Sequence, residues 1–408
     1  MRSRWCLVAL AAAVVGCGET TDIVGTRSSA TPVETPPDQD VLDEVGVTEE
    51  EADQAIRSAY EQLFFGARDT QAIYREDGDD AGYIEEVHYQ DVRTDAIGYG
   101  MFVTVQVDDQ EVFDRLWTWT KRYMLMTKAP REGLLRWRCS TAGTDCATSA
   151  ATDATSFIAT SLFLAQAKWG AAGEHDYEAD ANMLLDAMVL TEERNGGIVD
   201  AVQNMFDVGA RLPRKTSSRN DEPYLFTDYV MPAFYDYWSQ WRTEDSEFWR
   251  QTAEASRDLL RTAVVAGNGL IPLEIQSDGS PAPTADYYDE RAARTLLNRW
   301  FCHAWTGPHP WVYVLNRRLL DFLSEQDPLV SSYYLTGKAR GDRNTVAHLS
   351  LTATAAAATE EPATYASFLQ ALADAPIPEG DERYYNGMLY LLSFMAVSGN
   401  IEVGTKAP

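Results

Sequence analysis

Asp95 is a residue whose type and setting could do chemistry. It lies in the stretch DVRTDAIGYGM (91–101), directly before a predicted helix start, and is followed by small residues and one tyrosine. A carboxyl group at this place could transfer a proton to or from a reacting group. It could equally cap the helix by accepting a hydrogen bond from the backbone. Acid–base chemistry needs a partner group, so the role of Asp95 depends on what else the chain brings to it.

The elements that must position Asp95 are predicted to be helices. Thr48 precedes three glutamates, which is typical of a capped helix start. In 111–126 the apolar side chains recur at helical spacing and form one face. Alternating β-branched runs are few, so strands should be few and short. Further helices are predicted near 155–168, 177–191, 226–240, 246–265, 290–304, 310–325, 344–358, 363–374 and 384–397.

The number and spacing of these helices predict the fold class. About a dozen helices with short connections indicate an all-α chain whose paired helices close into a toroid. We therefore predict an (α/α) barrel formed by residues 46–408 as a single domain, because the sequence contains no linker that would divide this region.

The residues ahead of the barrel predict export. Basic residues precede an apolar run at 5–15 that is too short to span a bilayer, as in a signal peptide. The run ends in VVGC, which resembles the lipobox of bacterial lipoproteins, so 1–17 would be a lipoprotein signal and Cys17 the lipid anchor. The alternative is an ordinary signal peptide with an incidental cysteine. Residues 18–45 have the composition of a disordered tether. We expect a bacterial membrane location, with the outer membrane or cell surface favoured.

Charge and aromatic content favour a neutral ligand. The chain has 34 basic and 62 acidic side chains and a formal net charge of −28, which repels phosphate backbones and argues against a nucleic-acid partner. The segment 224–241 is rich in aromatic residues. These could form a large core, or some could line a groove, because flat rings stack well on sugar faces. Acidity, aromatic rings and a helical toroid together point to a neutral oligosaccharide, bound by a protein that we expect to be monomeric.

Export also bears on the cysteines. An oxidising compartment permits disulfides, and Cys139 and Cys146 are close enough in sequence to staple one loop. Closing so small a ring would contribute roughly 2–3 kcal/mol. Cys302 is expected to be a buried thiol. Neither the cysteines nor the five histidines have the spacing of a metal site, so we expect neither a metal nor a cofactor.

Several segments, in order, give the chain a resemblance to glycoside hydrolase family 8 and, within it, to the reducing-end xylose-releasing exo-oligoxylanases. Besides 91–101 they include VQVDDQEVFDRLWTW (105–119), AATDATSFIATSLFLAQAKWG (150–170), FTDYVMPAFY (226–235), ARTLLN (293–298) and RYYNGMLYLLSFMAVSGN (383–400). The resemblance runs from about Ala55 to Ile401. It implies an (α/α)6 barrel that hydrolyses β-1,4 glycosidic bonds with inversion. Inversion uses a protonated acid and an ionised base roughly 6.5–9.5 Å apart.

The resemblance places Asp95 where the family has its general acid, a glutamate. Aspartate can donate a proton, but its carboxyl is drawn back by roughly 1.5 Å. The family's base is an aspartate three residues before an arginine, and here Arg291 stands three residues before Arg294. A guanidinium cannot act as a base, and facing Asp95 it would form an ion pair with the ionised carboxylate. Asp289 or Glu290 could supply a rerouted base if the loop shifts register.

The remaining positions implied by the resemblance bind substrate. Asp153 matches a third family carboxylate, which would hold sugar hydroxyls or cap the helix that follows. The others are Tyr99, Trp137, Tyr229, Arg294 and Tyr385, each of which could also be simple packing. Two functions remain open. One is a hydrolase of β-1,4-linked oligosaccharides, with xylo-oligosaccharides favoured and activity impaired. The other is an inactive lipoprotein that binds glycan or protein through the old cleft.

Overall fold

The protein is described by a computed structural model over residues 40–170 and 174–406. The predicted signal with Cys17, and the predicted tether up to residue 39, lie outside the described residues. In the described part of the chain, no helix has both the length and the apolar character needed to cross a bilayer. The helices are α1 Glu49–Phe65, α2 Thr94–Gln106, α3 Gln110–Trp119, α4 Thr152–Trp169, α5 Tyr177–Arg194, α6 Pro232–Trp241, α7 Ser246–Ala263, α8 Glu290–Thr306, α9 Pro310–Ser324, α10 Val346–Ala357, α11 Ala366–Ala373 and α12 Tyr385–Val397.

The strands are short, as the sequence predicted, and they pair two by two. All five pairs formed by the described residues are antiparallel: β1 with β2, β3 with β4, β5 with β6, β7 with β8 and β9 with β10. The strands are β1 Tyr74–Asp77, β2 Ala81–Ile84, β3 Asp91–Arg93, β4 Arg138–Ser140, β5 Phe206–Asp207, β6 Leu212–Pro213, β7 Leu225–Phe226, β8 Glu274–Ile275, β9 Tyr287–Tyr288 and β10 Tyr333–Tyr334.

The even-numbered helices form the inner ring of a barrel. Each of α2, α4, α6, α8, α10 and α12 contacts the next, and α12 contacts α2, so the ring closes. Each of α3, α5, α7, α9 and α11 packs on the inner helix that precedes it, and α1 packs on α12. This arrangement is a toroid of paired helices, and it confirms the predicted (α/α)6 fold.

The sequences of the helices explain which ring each one joins. In α7 the buried residues Trp249, Ala253 and Leu260 recur at helical spacing, while Arg250 and Glu254 are exposed, so one face is apolar. In α12 every residue from Asn386 to Val397 is buried. A helix without a polar face must be covered on all sides, and only the inner ring offers that.

Three predicted helix starts differ from the observed ones. α2 begins at Thr94, so Asp95 lies in its first turn rather than before it. Ala151 holds the N-cap position of α4, so the predicted cap by Asp153 is wrong. α6 begins only at Pro232, because proline suits the first helical position, where its missing N–H is not needed. The residues before it form a 3-10 turn, Thr227–Tyr229.

The structure contains the expected disulfide and the expected buried thiol. Cys139 and Cys146 form a disulfide, and Cys302 is a buried free thiol. Cys139 lies on β4, which pairs with β3 directly before α2. The bridge therefore steadies the segment that leads into Asp95.

Candidate active site

The N-terminal ends of four inner helices meet at one cavity of about 320 Å³. Its walls come from the first turns of α2, α4, α8 and α12 and from the segments before α6 and β4. Of the predicted site residues, the cavity brings together Asp95, Trp137, Asp153, Tyr229, Arg291, Arg294 and Tyr385. The volume lies within the range of small-molecule sites.

Asp95 is half-buried at the start of α2. Its Oδ1 accepts hydrogen bonds from the Tyr384 hydroxyl at 3.2 Å and from the Ala96 backbone N–H at 3.0 Å. Within the described residues its Oδ2 has no hydrogen-bond partner. Asp95 does not occupy the N-cap of α2, which is Arg93. One carboxyl oxygen thus remains available to a ligand in the cavity.

Asp153 is the more deeply buried carboxyl group. Its Oδ2 accepts a hydrogen bond from Arg294 Nη1 at 3.4 Å, and its buried Oδ1 has no partner among the described residues. Burial raises the pKa of Asp153 to about 7; Arg294 opposes this shift, while Asp228 and Asp95 reinforce it. Asp153 is therefore a carboxyl group that holds a proton near neutral pH and has an oxygen free to bind a hydroxyl.

Arg294 links the walls of the cavity through hydrogen bonds. Its Nη1 donates to the Tyr99 hydroxyl at 2.8 Å, and its Nη2 donates to Asp228 on the 3-10 turn. Asn298 fixes that turn by donating to the Asp228 carbonyl at 2.9 Å. Burial alone would lower the pKa of Arg294, but the Asp228 carboxylate raises it well above its ordinary value. Tyr99 thus supports Arg294 from behind and does not line the cavity.

Arg291 lines the cavity but does not pair with Asp95, so the predicted ion pair is wrong. Among the described residues Arg291 makes no ion pair within 4.0 Å. Its guanidinium lies over the Phe226 ring, 4.5 Å from the centroid. Asp95 is bonded to Tyr384 instead.

The alternative of a rerouted base at Asp289 or Glu290 has no support in this geometry. Asp289 is the N-cap of α8, and its Oδ1 accepts from the backbone N–H groups of Arg291 at 3.0 Å and Ala292 at 3.1 Å. Glu290 lies beside Thr345; burial raises the pKa of Glu290, and a hydrogen bond with Thr345 opposes the shift. Neither carboxylate is among the residues that line the cavity.

The aromatic residues divide between core and cavity. Phe234, Tyr235 and Trp238 of the 224–241 segment are buried in the core, whereas Tyr229 lines the cavity. Trp137 lies at the mouth with 38% of its surface exposed. Tyr385 also lines the cavity, and its buried hydroxyl has no partner within the described residues. These rings and hydroxyls can contact both faces and edges of a sugar.

Sequence reasoning missed three residues of this site. Tyr384 holds Asp95, Asp228 holds Arg294, and Arg93 lines the mouth. Each lies within a segment that carries the family resemblance, DVRTDAIGYGM, FTDYV or RYYNG. The sequence alone does not show whether Tyr384 or Tyr385 bonds Asp95, because that depends on the direction of each side chain.

Comparison with known proteins identifies the family. The model of glycosyl hydrolases family 8 matches residues 84–399, which is most of the chain. The chain belongs to this family. Among its relatives is the reducing-end xylose-releasing exo-oligoxylanase Rex8A of Paenibacillus barcinonensis, 32% identical over 88% of this chain and 94% of the relative. Another is the reducing end xylose-releasing exo-oligoxylanase of Halalkalibacterium halodurans, 29% identical over 90% of this chain and 94% of the relative.

A solved family 8 structure agrees with the fold described above. The structure of Rex8A complexed with xylose superposes with a TM-score of 0.83 at 30% identity, covering 90% of this chain and 97% of that one. The predicted family is thus confirmed, and reducing-end xylose-releasing exo-oligoxylanases are among the relatives of this chain, as the resemblance implied. The family resemblance assigned a carboxylate to the place where this chain has Arg291, so the chemistry of the cavity must be argued from its own residues.

Proposed function

We propose that the cavity binds short β-1,4-linked xylo-oligosaccharides and hydrolyses them with inversion, but weakly. The observation that carries the proposal is the cavity itself: Asp95, Asp153, Arg291 and several aromatic rings line it. The sequence resemblance assigns Arg291 to the place of the family's base. Relatives named reducing-end xylose-releasing exo-oligoxylanases support the choice of xylo-oligosaccharides.

The weak hydrolysis follows from the chemistry that each side chain of the cavity can perform. Asp95 can give a proton to the leaving oxygen of a bound sugar, because one of its oxygens faces the ligand space. The attacking water must lose a proton, and an arginine cannot accept it. Losing positioned acid–base help costs about 10²–10⁴-fold in rate. The proton of the attacking water then passes to bulk solvent, and hydrolysis relies on Asp95 as the acid and on the contacts of Asp153 and Arg294 with the substrate.

The second candidate is a protein that binds glycan without cleaving it. It is favoured by the same Arg291, because a guanidinium cannot act as the base. Asp95, Asp153 and the rings would then serve only as sugar contacts. The first candidate predicts sugar binding with turnover, and the second predicts sugar binding without turnover.

One experiment separates the candidates. Purified protein is mixed with xylo- and cello-oligosaccharides, and both binding and released sugar are measured for wild type, Asp95→Asn and Arg291→Asp. Slow wild-type turnover that Asp95→Asn abolishes and Arg291→Asp raises by about 100-fold supports the weak hydrolase. Binding without turnover supports the second candidate. An exposed arginine outside the cavity, Arg340, gives the control Arg340→Asp. Absence of binding to every sugar would overturn both candidates.

We also propose that the protein is exported and anchored by a lipid on Cys17, at the outer membrane or cell surface. The support is the lipobox-like VVGC and the tether composition of the sequence. Growth of the bacterium with a radiolabelled fatty acid tests it. The wild-type chain should take up the label and sediment with membranes, whereas Cys17→Ser should do neither. Label on both proteins would contradict the anchor.

A further inference from the structure

We propose that Arg291 turns this cavity into a site for an acidic oligosaccharide, whose uronic acid carboxylate binds the Arg291 guanidinium. The inference rests on the proposed function, since it names which sugar chain the cavity prefers. It departs from the neutral ligand that the overall charge of the chain suggests.

The three arginines of the cavity differ in their partners. Arg93 pairs with Asp91 at 3.0 Å and with Glu86 at 3.8 Å. Arg294 pairs with Asp153 at 3.4 Å and with Asp228. Arg291 alone of the three has no carboxylate partner within the described residues.

The position of Arg291 leaves its donors available. The Cζ atom of its guanidinium lies over the Phe226 ring, 4.5 Å from the ring centroid. A stacked guanidinium keeps its N–H groups in the plane, where they can form two parallel bonds to a carboxylate. Among the described residues the Arg291 side chain donates no hydrogen bond. Burial alone would lower the pKa of Arg291, but Asp228 raises it, so the cation persists.

The backbone adds to the positive potential at this place. The N-terminal ends of α2, α4, α8 and α12 all face the cavity, and a helix N-terminus carries a partial positive charge. In α12 no side chain caps the first N–H groups and the first turn holds no acidic residue, whereas Asp95 and Asp153 stand in the first turns of α2 and α4. The dipole of α12 is therefore not offset by a carboxylate of its own.

The opposing negative charges are partly neutralised. Asp228 is held against Arg294, and Asp153 holds a proton near neutral pH. Asp95 is the remaining acidic side chain of the cavity, and it bonds Tyr384 on the α12 side. A uronic acid carboxylate beside Arg291 would make charge-assisted bonds that a neutral sugar cannot offer.

The test compares two ligands that differ in one acidic unit. Xylotetraose and the same chain bearing one glucuronic acid unit are titrated by calorimetry into wild type, Arg291→Gln and Arg340→Gln. Arg340 is the matched control, because it also stacks on an aromatic ring, 4.1 Å from Tyr287, but is exposed and outside the cavity. We expect wild type and Arg340→Gln to bind the acidic chain at least about tenfold more tightly, and Arg291→Gln to bind both alike. In wild type, 0.5 M salt should reduce the preference.

The outcomes distinguish the two claims. If wild type binds the neutral chain as tightly as the acidic one, the acidic preference is overturned while the proposed function stands. If Arg291→Gln keeps the preference, the assignment to Arg291 is overturned. If neither chain binds wild type, the proposed function falls as well. The wild-type comparison and its salt dependence decide even if Arg291→Gln does not fold.

Discussion

Asp153 combines deep burial, an unpartnered oxygen and a weak bond to Arg294. Its folded-state pKa of about 7 lies above its ordinary value, so the folded protein binds a proton more readily than the unfolded chain. The stability linked to Asp153 is therefore full below the unfolded pKa and is lost as pH rises from about 4 to 7. The Oδ1 atom of Asp153 has no partner despite this loss of stability, and a sugar hydroxyl would supply the missing hydrogen bond.

Asp153→Asn should remove this pH-dependent loss. We expect the variant to gain ~2–4 kcal/mol of unfolding free energy over wild type between pH 4 and 7.5, because an amide is not penalised for burial of a charge. Urea unfolding at both pH values measures the difference. Asp342→Asn, at an exposed position, is the control and should change nothing. An equal effect of Asp153→Asn at both pH values would show that its charge is not the source.

Asp289 allows a direct test between capping and catalysis. If its carboxylate caps α8, as its bonds to two backbone N–H groups indicate, Asp289→Ala should cost about 0.5–2 kcal/mol of stability. Oligosaccharide turnover per folded molecule should stay unchanged. Asp176→Ala, which removes the cap of α5, should have a similar effect on stability. Loss of turnover in Asp289→Ala alone, with the fold intact, would restore Asp289 as a base.

At the scale of elements, the close approach of α2 to α4 places the two cavity carboxyls. Gly98 in α2 makes this possible: a Cβ there would lie 2.9 Å from Phe157 Cβ and 3.2 Å from the Ala154 carbonyl oxygen, both on α4. Glycine in a helix interior costs about 0.5–1 kcal/mol relative to alanine. The close contact explains why a glycine stands there.

Gly98→Ala should push α2 away from α4. We expect a net loss of about 1–3 kcal/mol, as for overpacked cores, together with weaker oligosaccharide binding. Gly387→Ala in α12 is the matched control, because its new Cβ would meet only the flexible end of Leu63, at 2.7 Å. Thermal unfolding and titration of both variants check this. The idea fails if Gly98→Ala is as stable and binds as well as Gly387→Ala.

The same elements show how far the sequence could predict the structure. Apolar spacing located the helices, because burial of one face leaves a periodic pattern in the sequence. The start of α6 was missed, since Pro232 ends a turn and opens the helix. The contact of Arg291 was also wrong: its partner is the Phe226 ring rather than Asp95, and side-chain direction depends on packing between distant segments.

At the scale of the whole molecule, burial of neutral histidines sets the response to acid. Burial lowers the pKa of three histidines to about 4; they are His303, His309 and His348. The unfolded chain takes up protons below its ordinary histidine pKa of about 6.5, while the folded chain does not. Stability linked to these groups is present above that pH and is lost as pH falls towards 4. This dependence on pH is opposite to that of Asp153. Because three histidines outweigh one aspartate, the free energy of unfolding should fall in acid.

His348 offers the sharpest test of this balance. It is fully buried, its Nδ1 bonds Asn344 Oδ1 at 2.8 Å, and its Nε2 has no partner within the described residues. His348→Asn retains an N–H donor for Asn344 but cannot titrate. Between pH 6.5 and 4.5 we expect the variant to lose about 2 kcal/mol less unfolding free energy than wild type, whatever its stability at pH 6.5. His88→Asn, at an exposed position, should follow wild type. Urea unfolding across this range measures the slopes, and three parallel curves would mean that buried histidines do not set the response to acid.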